Sequence, residues 1–146
     1  MAKNLLDAVY GCLIGGAVGD ALGAPTEGMY HTDIKEKYGR LTELIPHNVY
    51  YSNKKPGGIT DDSTLRHYIC YTIVQKGGRI TPDDLAEVWV NKININRLWE
   101  NERIIFHRLQ EGINPWEAGK GCVPAGCASM AIAPIGIINA GNPVQA

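Results

Sequence analysis

The stretch GCLIGGAVGDALGAPTE, residues 11–27, decides the fold class. Gly11, Gly15, Gly19 and Gly23 recur every four residues, so on a helix they drift only slowly around one face. Asn4 is placed to cap this helix, which is predicted to run to about Leu22. Four helical glycines cost roughly 1 kcal/mol each relative to Ala. Such a cost is expected where another helix or a ligand lies against the glycine face. In a bilayer the same spacing would pair helices, but Asp7 and Asp20 speak against that reading. Asp20 itself stands near the helix end, where an acid opposes the macrodipole. That unfavourable placement favours a functional or partner-bound carboxylate over a merely solvated one. Pro25 then opens a loop over residues 24–30, in which Glu27 by itself is uninformative.

Helical signals continue outward from this stretch, and strand signals are weak throughout. A short helix is predicted over residues 32–38, closed by Gly39. Residues 45–59 read as a long loop with Pro46, Asn53, Pro56, Gly57 and Gly58, and a loop of that length is more often functional than idle. Thr60 starts a strong helix with Asp61 and Asp62 in its first turn, an apolar stripe of Leu65, Ile69 and Ile73, and a stop at Gly77. Thr81-Pro82-Asp83-Asp84 is a second helix start, with Leu85, Val88, Trp89 and Ile93 as its buried face. A helix over about 98–110 carries Leu98, Ile105 and Leu109 on one side. Asn114-Pro115-Trp116-Glu117 opens a short one. Residues 123–139 are predicted as a buried helix bent at Pro134. Asn142-Pro143 repeats the cap-then-Pro signal with three residues after it, which reads as the start of an element in a longer protein.

The chain has 146 residues, a net charge of −1 and 45% hydrophobic residues. Such a composition fits a globular protein and excludes a disordered one. A nucleic-acid binder or an electrostatic membrane binder would carry a basic excess, and none is present. The longest apolar run, residues 8–18, is too short to span a bilayer, and the N-terminus lacks a signal-peptide pattern; a cytoplasmic protein with no membrane partner is expected. Cys12, Cys70, Cys122 and Cys127 show no metal or disulfide spacing and read as buried small hydrophobes. His31, His47, His67 and His107 likewise read as surface or core residues, and Trp89, Trp99 and Trp116 as core or its edge.

Three constellations could carry chemistry. In Thr60-Asp61-Asp62 a glycine-rich loop delivers a hydroxyl and two carboxylates to a helix start, the oxygen donors that Mg²⁺ prefers. On spacing alone a well-capped helix explains these residues without a metal, and Thr81–Asp84 shows the same cap written elsewhere. The Asp20 and Glu27 pair flanks the proline turn. In residues 121–136 small residues crowd an apolar segment, which suits either tight helix packing or backbone N–H groups set against a phosphate.

Taken together, these segments resemble the ADP-ribosylglycohydrolase family. Residues 11–27 are similar to its N-terminal signature, GITDDST at residues 58–64 to its first metal motif, and GCASMAIAPIG at residues 126–136 to its glycine-rich, Met-containing segment near the diphosphate. The order and spacing of all three agree. The resemblance implies an all-α orthogonal multi-helix bundle of that type, of which residues 1–146 would be the N-terminal portion of one domain, truncated before the family's Asp-x-Asp-Thr motif. It implies two Mg²⁺ ions, with Thr60, Asp61 and Asp62 on one side of their cage and Glu27 as the catalytic acid near the scissile ribose. Gly126, Cys127, Ala128, Ser129 and Met130 would meet the substrate, an ADP-ribosyl compound, free or on a protein. Gly126 and Ala131 stand where many members carry Asn and Arg, which points to a divergent substrate. The alternative is a non-catalytic module that binds ADP-ribose or a protein, with an incomplete metal site.

Overall fold

A computed structural model describes residues 4–47 and 54–145. These residues form seven α-helices and three short 3-10 turns, with no strand among them. The all-α expectation is therefore met. The chain divides into two compact units, residues 1–60 and 61–146.

In the first unit, α1 spans Leu5–Gly23. Asn4 caps it as expected, its side-chain oxygen accepting from Leu6 N at 3.1 Å. The 3-10 turn Ala24–Thr26 continues it, and Thr26 Oγ1 donates to Gly23 O at 2.8 Å. Helix α2 covers His31–Tyr38 and stops at Gly39, whose φ of 63° suits a residue without a Cβ. Part of the predicted 45–59 loop, residues 48–53, lies outside the described residues; on its far side the Gly58 carbonyl oxygen lies 3.1 Å from His47 Nε2 and accepts from it in the tautomer that carries the hydrogen there, so the buried His47 ring fastens the two ends together. Buried residues here are few and small, chiefly Ala21, Ala24, His47 and Thr60.

Two expectations about α1 are to be set against the structure. Among the described residues of the first unit nothing packs against the glycine face: a Cβ added to Gly11, Gly15, Gly19 or Gly23 would meet nothing within 4 Å. The apolar stretch is also longer than the run of residues 8–18, because the helix and its 3-10 turn carry it over Leu5–Thr26, long and apolar enough by length and composition to cross a membrane.

The second unit is built on α3, Asp61–Lys76, and α4, Pro82–Lys92. Its core is Leu65, Ile93, Leu98, Phe106 and Ala131, with Tyr68, Ile69, Trp89, Ile95 and Met130 packed against it. Tyr68 OH donates to Lys92 O at 2.9 Å and ties α3 to the end of α4. Helix α4 begins with a full capping box: Asp84 N donates to Thr81 Oγ1, and Thr81 N donates to Asp84 Oδ2 at 2.8 Å. Helix α5, Glu100–Gln110, follows the 3-10 turn Ile95–Arg97. Leu98 is fully buried, but it precedes α5. The buried side of this segment is Leu98, Glu102 and Phe106, at i, i+4 and i+8, in place of the expected Leu98, Ile105 and Leu109.

The remaining chain is held by carbonyl contacts. Arg108 Nη1 donates to Ala118 O and Lys120 O at 2.8 and 2.7 Å. The expected helix at Asn114 is only a run of turns, opened by Trp116 N donating to Asn114 Oδ1, and Trp116 is 68% exposed, outside the core. The predicted single helix of residues 123–139 is two short ones, α6 at Cys127–Ala131 and α7 at Ala133–Ile138, broken at Ile132. Pro134 has no N–H to give the carbonyl four residues back, Met130; Arg66 Nη2 donates to that carbonyl instead, at 2.9 Å. The cysteines are also less buried than expected: Cys12 is exposed and the other three are half-buried.

Two predictions follow from these observations. With open space at their Cβ positions, Gly15→Ala and Gly19→Ala are expected to gain helix propensity unopposed, raising stability by about 0.8–1 kcal/mol each in urea denaturation. At α4, the Lys76 ammonium 2.6 Å away, then the Thr81 N–H and hydroxyl, lower the Asp84 carboxyl from 3.8 to about 2. A carboxyl depressed in the folded state adds stability that is complete above its unfolded value and fades as pH falls through the folded one. The melting-temperature difference between wild type and Asp84→Asn is therefore expected to be full at pH 5 and mostly gone near pH 2.

Candidate active site

Thr60 is the last residue of the first unit and is 3% exposed. Its backbone N–H points at the Asp20 carboxylate, 3.2 Å from Oδ1 and 3.0 Å from Oδ2. Its hydroxyl donates to Asp20 Oδ1 at 2.8 Å. Asp20, forty residues earlier on the last turn of α1, therefore takes two donors from one residue. No basic side chain occupies that last turn to offset the acid. The unfavourable position of Asp20 in the sequence is explained by this clasp. Glu27 lies just past the 3-10 turn, its N–H donating to Ala24 O at 3.3 Å, and its side chain is exposed.

In the second unit Asp61 and Asp62 open α3, where acids favour the helix dipole. Asp61 is buried and Asp62 half-buried. Thr60 Oγ1 and these two carboxylates are oxygen donors of the kind Mg²⁺ takes. Among the described residues no three acidic, His or Cys side chains gather at one point that could hold a metal ion. The chemistry of these donors suits a hard cation, and they are the residues that would hold one.

The 126–130 segment forms the start of α6. Gly126 O receives Ser129 N at 2.9 Å and Ser129 Oγ at 2.7 Å, so this serine hydroxyl is turned back onto its own helix. Cys127 is the member of the segment that meets other candidate residues. Burial, then a hydrogen bond and charge from Glu102, and last the charge of Asp61, push its thiol up to about 12. The second unit therefore brings Asp61 and Cys127 into one electrostatic neighbourhood.

Glu102 is the residue that sequence reasoning missed. It is 2% exposed on α5, and apart from the Cys127 thiol its carboxylate oxygens have no hydrogen-bond partner among the described residues. Its neighbour Asn101 is buried as well, with Nδ2 donating to Val123 O at 2.8 Å. The signal was present: Glu102 stands midway between Leu98 and Phe106 at i+4 spacing, an acid inside an apolar stripe. Glu102 and Cys127 both line a groove of about 670 Å³ whose walls are mostly apolar, among them Leu65, Trp89 and Ile135.

The ADP-ribosylglycohydrolase family model matches residues 1–146. An uncharacterized protein of Archaeoglobus fulgidus is 30% identical over 130 residues, covering 87% of this chain and 41% of that protein. The ADP-ribosyl-[dinitrogen reductase] glycohydrolase of Rhodospirillum rubrum is 30% identical over 135 residues, covering 85% of this chain and 45% of that protein. The uncharacterized protein YegU of Escherichia coli is 24% identical over 143 residues, covering 90% and 42%. The chain spans less than half the length of these relatives. With the family model matched from the first residue to the last, the chain belongs to the ADP-ribosylglycohydrolase family.

Proposed function

We propose that the protein is a Mg²⁺-dependent hydrolase that cleaves the glycosidic bond of an ADP-ribosyl compound, free or attached to a protein. The observation that carries this reading is the run of oxygen donors at Thr60, Asp61 and Asp62, two of them buried, at the head of a helix. The R. rubrum relative bears the name of a glycohydrolase acting on ADP-ribosyl-[dinitrogen reductase]; only the ADP-ribosyl class of substrate is carried over here.

In this reading Thr60, Asp61 and Asp62 hold one side of a two-ion site. When bound, the ions supply positive charge that orients ribose hydroxyls and acidifies a water. The chain's own groups do the rest. Glu27, exposed at the turn after α1, exchanges a proton with the water or the leaving group as positive charge builds on the anomeric carbon. Residues 126–130 border the diphosphate. Within them Ser129 Oγ donates to Gly126 O, which leaves backbone N–H groups, the bare Gly126 backbone and the small Ala128 side chain as the surface offered to substrate. The absence of a three-donor cluster among the described residues favours a second reading, a module that binds ADP-ribose without cleaving it.

Replacement of the acids separates the two. In the protein as expressed from its gene, Asp61→Asn and Asp62→Asn are expected to lower Mg²⁺-dependent release of ADP-ribose by about 10²–10³-fold. The loss of a first-turn acid should cost only about 0.3–1 kcal/mol of stability, read by thermal melting. Wild-type protein that binds ADP-ribose with no turnover would select the binding module. Variants that turn over within a few-fold of wild type would remove the metal assignment.

A further inference from the structure

We propose that Asp20 is a positioning residue for Thr60, holding its hydroxyl so that Oγ1 is presented to a divalent cation purely as an acceptor. The inference rests on the Mg²⁺ reading above and goes beyond it, because it assigns a role to a carboxylate outside the oxygen donors of residues 60–62.

A threonine hydroxyl has one hydrogen and two acceptor lone pairs. In this structure the hydrogen is committed: Thr60 Oγ1 donates to Asp20 Oδ1 at 2.8 Å. Whatever else meets that oxygen must meet it as a lone-pair acceptor, which is the condition for a cation ligand. A hydroxyl left to rotate would present its hydrogen to the cation for part of the time. The same carboxylate also receives the Thr60 N–H at 3.0 Å, so backbone and side chain are held by one group. This two-point hold fixes the position of Oγ1 as well as its polarity. Negative charge behind the hydroxyl also strengthens it as a donor of electron density, as a carboxylate does behind a metal-bound histidine.

The clasp also anchors the loop to α1, and that structural role by itself does not call for a charge. A loop can be tied to a helix by a neutral side chain. Here an acid stands in the last turn of α1, against the dipole and with no basic neighbour in that turn. Thr60 is 3% exposed, so the clasp works in an environment where a charge-assisted hydrogen bond is strong.

The test is a double-mutant cycle read by calorimetric titration with Mg²⁺ alone, on the protein as expressed from its gene, alongside thermal melting in a chelator. Asp20→Ala is expected to weaken Mg²⁺ binding by about 10–100-fold. Thr60→Val should weaken it to a similar extent, and Thr60→Ser, which keeps the hydroxyl, should bind within about twofold of wild type. Since both residues act through one oxygen, the double variant Asp20→Ala/Thr60→Val should bind no worse than about twofold below the weaker single variant. Asp20→Leu keeps roughly the volume of the side chain but offers no acceptor, and serves where the alanine variant does not fold; a weakened affinity for it, in protein that still melts cooperatively, supports the proposal. Wild-type affinity in Asp20→Leu or Asp20→Ala overturns it, as do single effects that multiply in the double variant. If wild-type protein itself binds no Mg²⁺, the reading of the metal site fails first and the proposal with it. Wild-type binding that survives the loss of Asp20 removes the positioning role alone.

Discussion

A carboxylate that accepts the N–H and the hydroxyl of one threonine is a strong constraint on a chain, and the first unit depends on it. Asp20 closes a loop of forty residues onto the last turn of α1 through distances of 2.8–3.2 Å. Closing a loop of that length costs several kcal/mol of chain entropy on the slowly rising logarithmic scale. The unit has few large buried side chains to offset the cost, since its buried residues are chiefly alanines, a histidine and Thr60 itself. Polar anchoring therefore takes over from apolar burial: His47 against Gly58, and Asp20 against Thr60. Both anchors end at the glycine-rich loop that leads into Asp61.

The second unit solves the same problem with a conventional core, and its irregular end shows the logic of substitution. Pro134 cannot bond to the Met130 carbonyl, and an unpaired buried carbonyl is costly. The guanidinium of Arg66 satisfies it from α3. One side chain thereby fastens α6 to α3 at the point where the helix breaks. That bond and the packing of Ala131 and Met130 in the core with Leu65 hold the 126–130 segment against α3. Burial and the Glu102 carboxylate keep the Cys127 thiol protonated, so it packs as a small neutral group and does not act as a nucleophile at neutral pH.

Much of this was legible in the residues. Caps and stops came through because each is a local rule: Asn4, Thr81-Pro82 and Gly39 act on their own helices whatever the tertiary structure does. Asp20 was legible as an anomaly, an acid at the wrong end of a helix dipole, although its partner forty residues away was not. Glu102 was missed because an acid on a helix reads as solvent-facing by default, and only its i+4 register with Leu98 and Phe106 says otherwise. The break at Ile132 was placed two residues late, at the proline itself. A proline at the second position of a helix is well tolerated, so the interruption falls before it. The glycine face of α1 shows the limit of spacing as a signal: regular spacing marks the face, and it does not name an occupant.

The donor chemistry explains why a threonine belongs beside two aspartates. Two carboxylates already bring two negative charges to the head of α3, and a third acid in place of Thr60 would add repulsion at close range. A hydroxyl supplies a further oxygen with no net charge, but it is a weak ligand and a rotating one. Asp20 removes both weaknesses. It takes up the hydrogen and fixes the rotor. In the proposed site its charge would act through the shared hydrogen and polarise Oγ1 without Asp20 itself serving as a ligand. On the proposed reading the GDALG and GITDD segments would be one device: the first supplies the carboxylate that lets the threonine of the second serve as a ligand as well as a helix start.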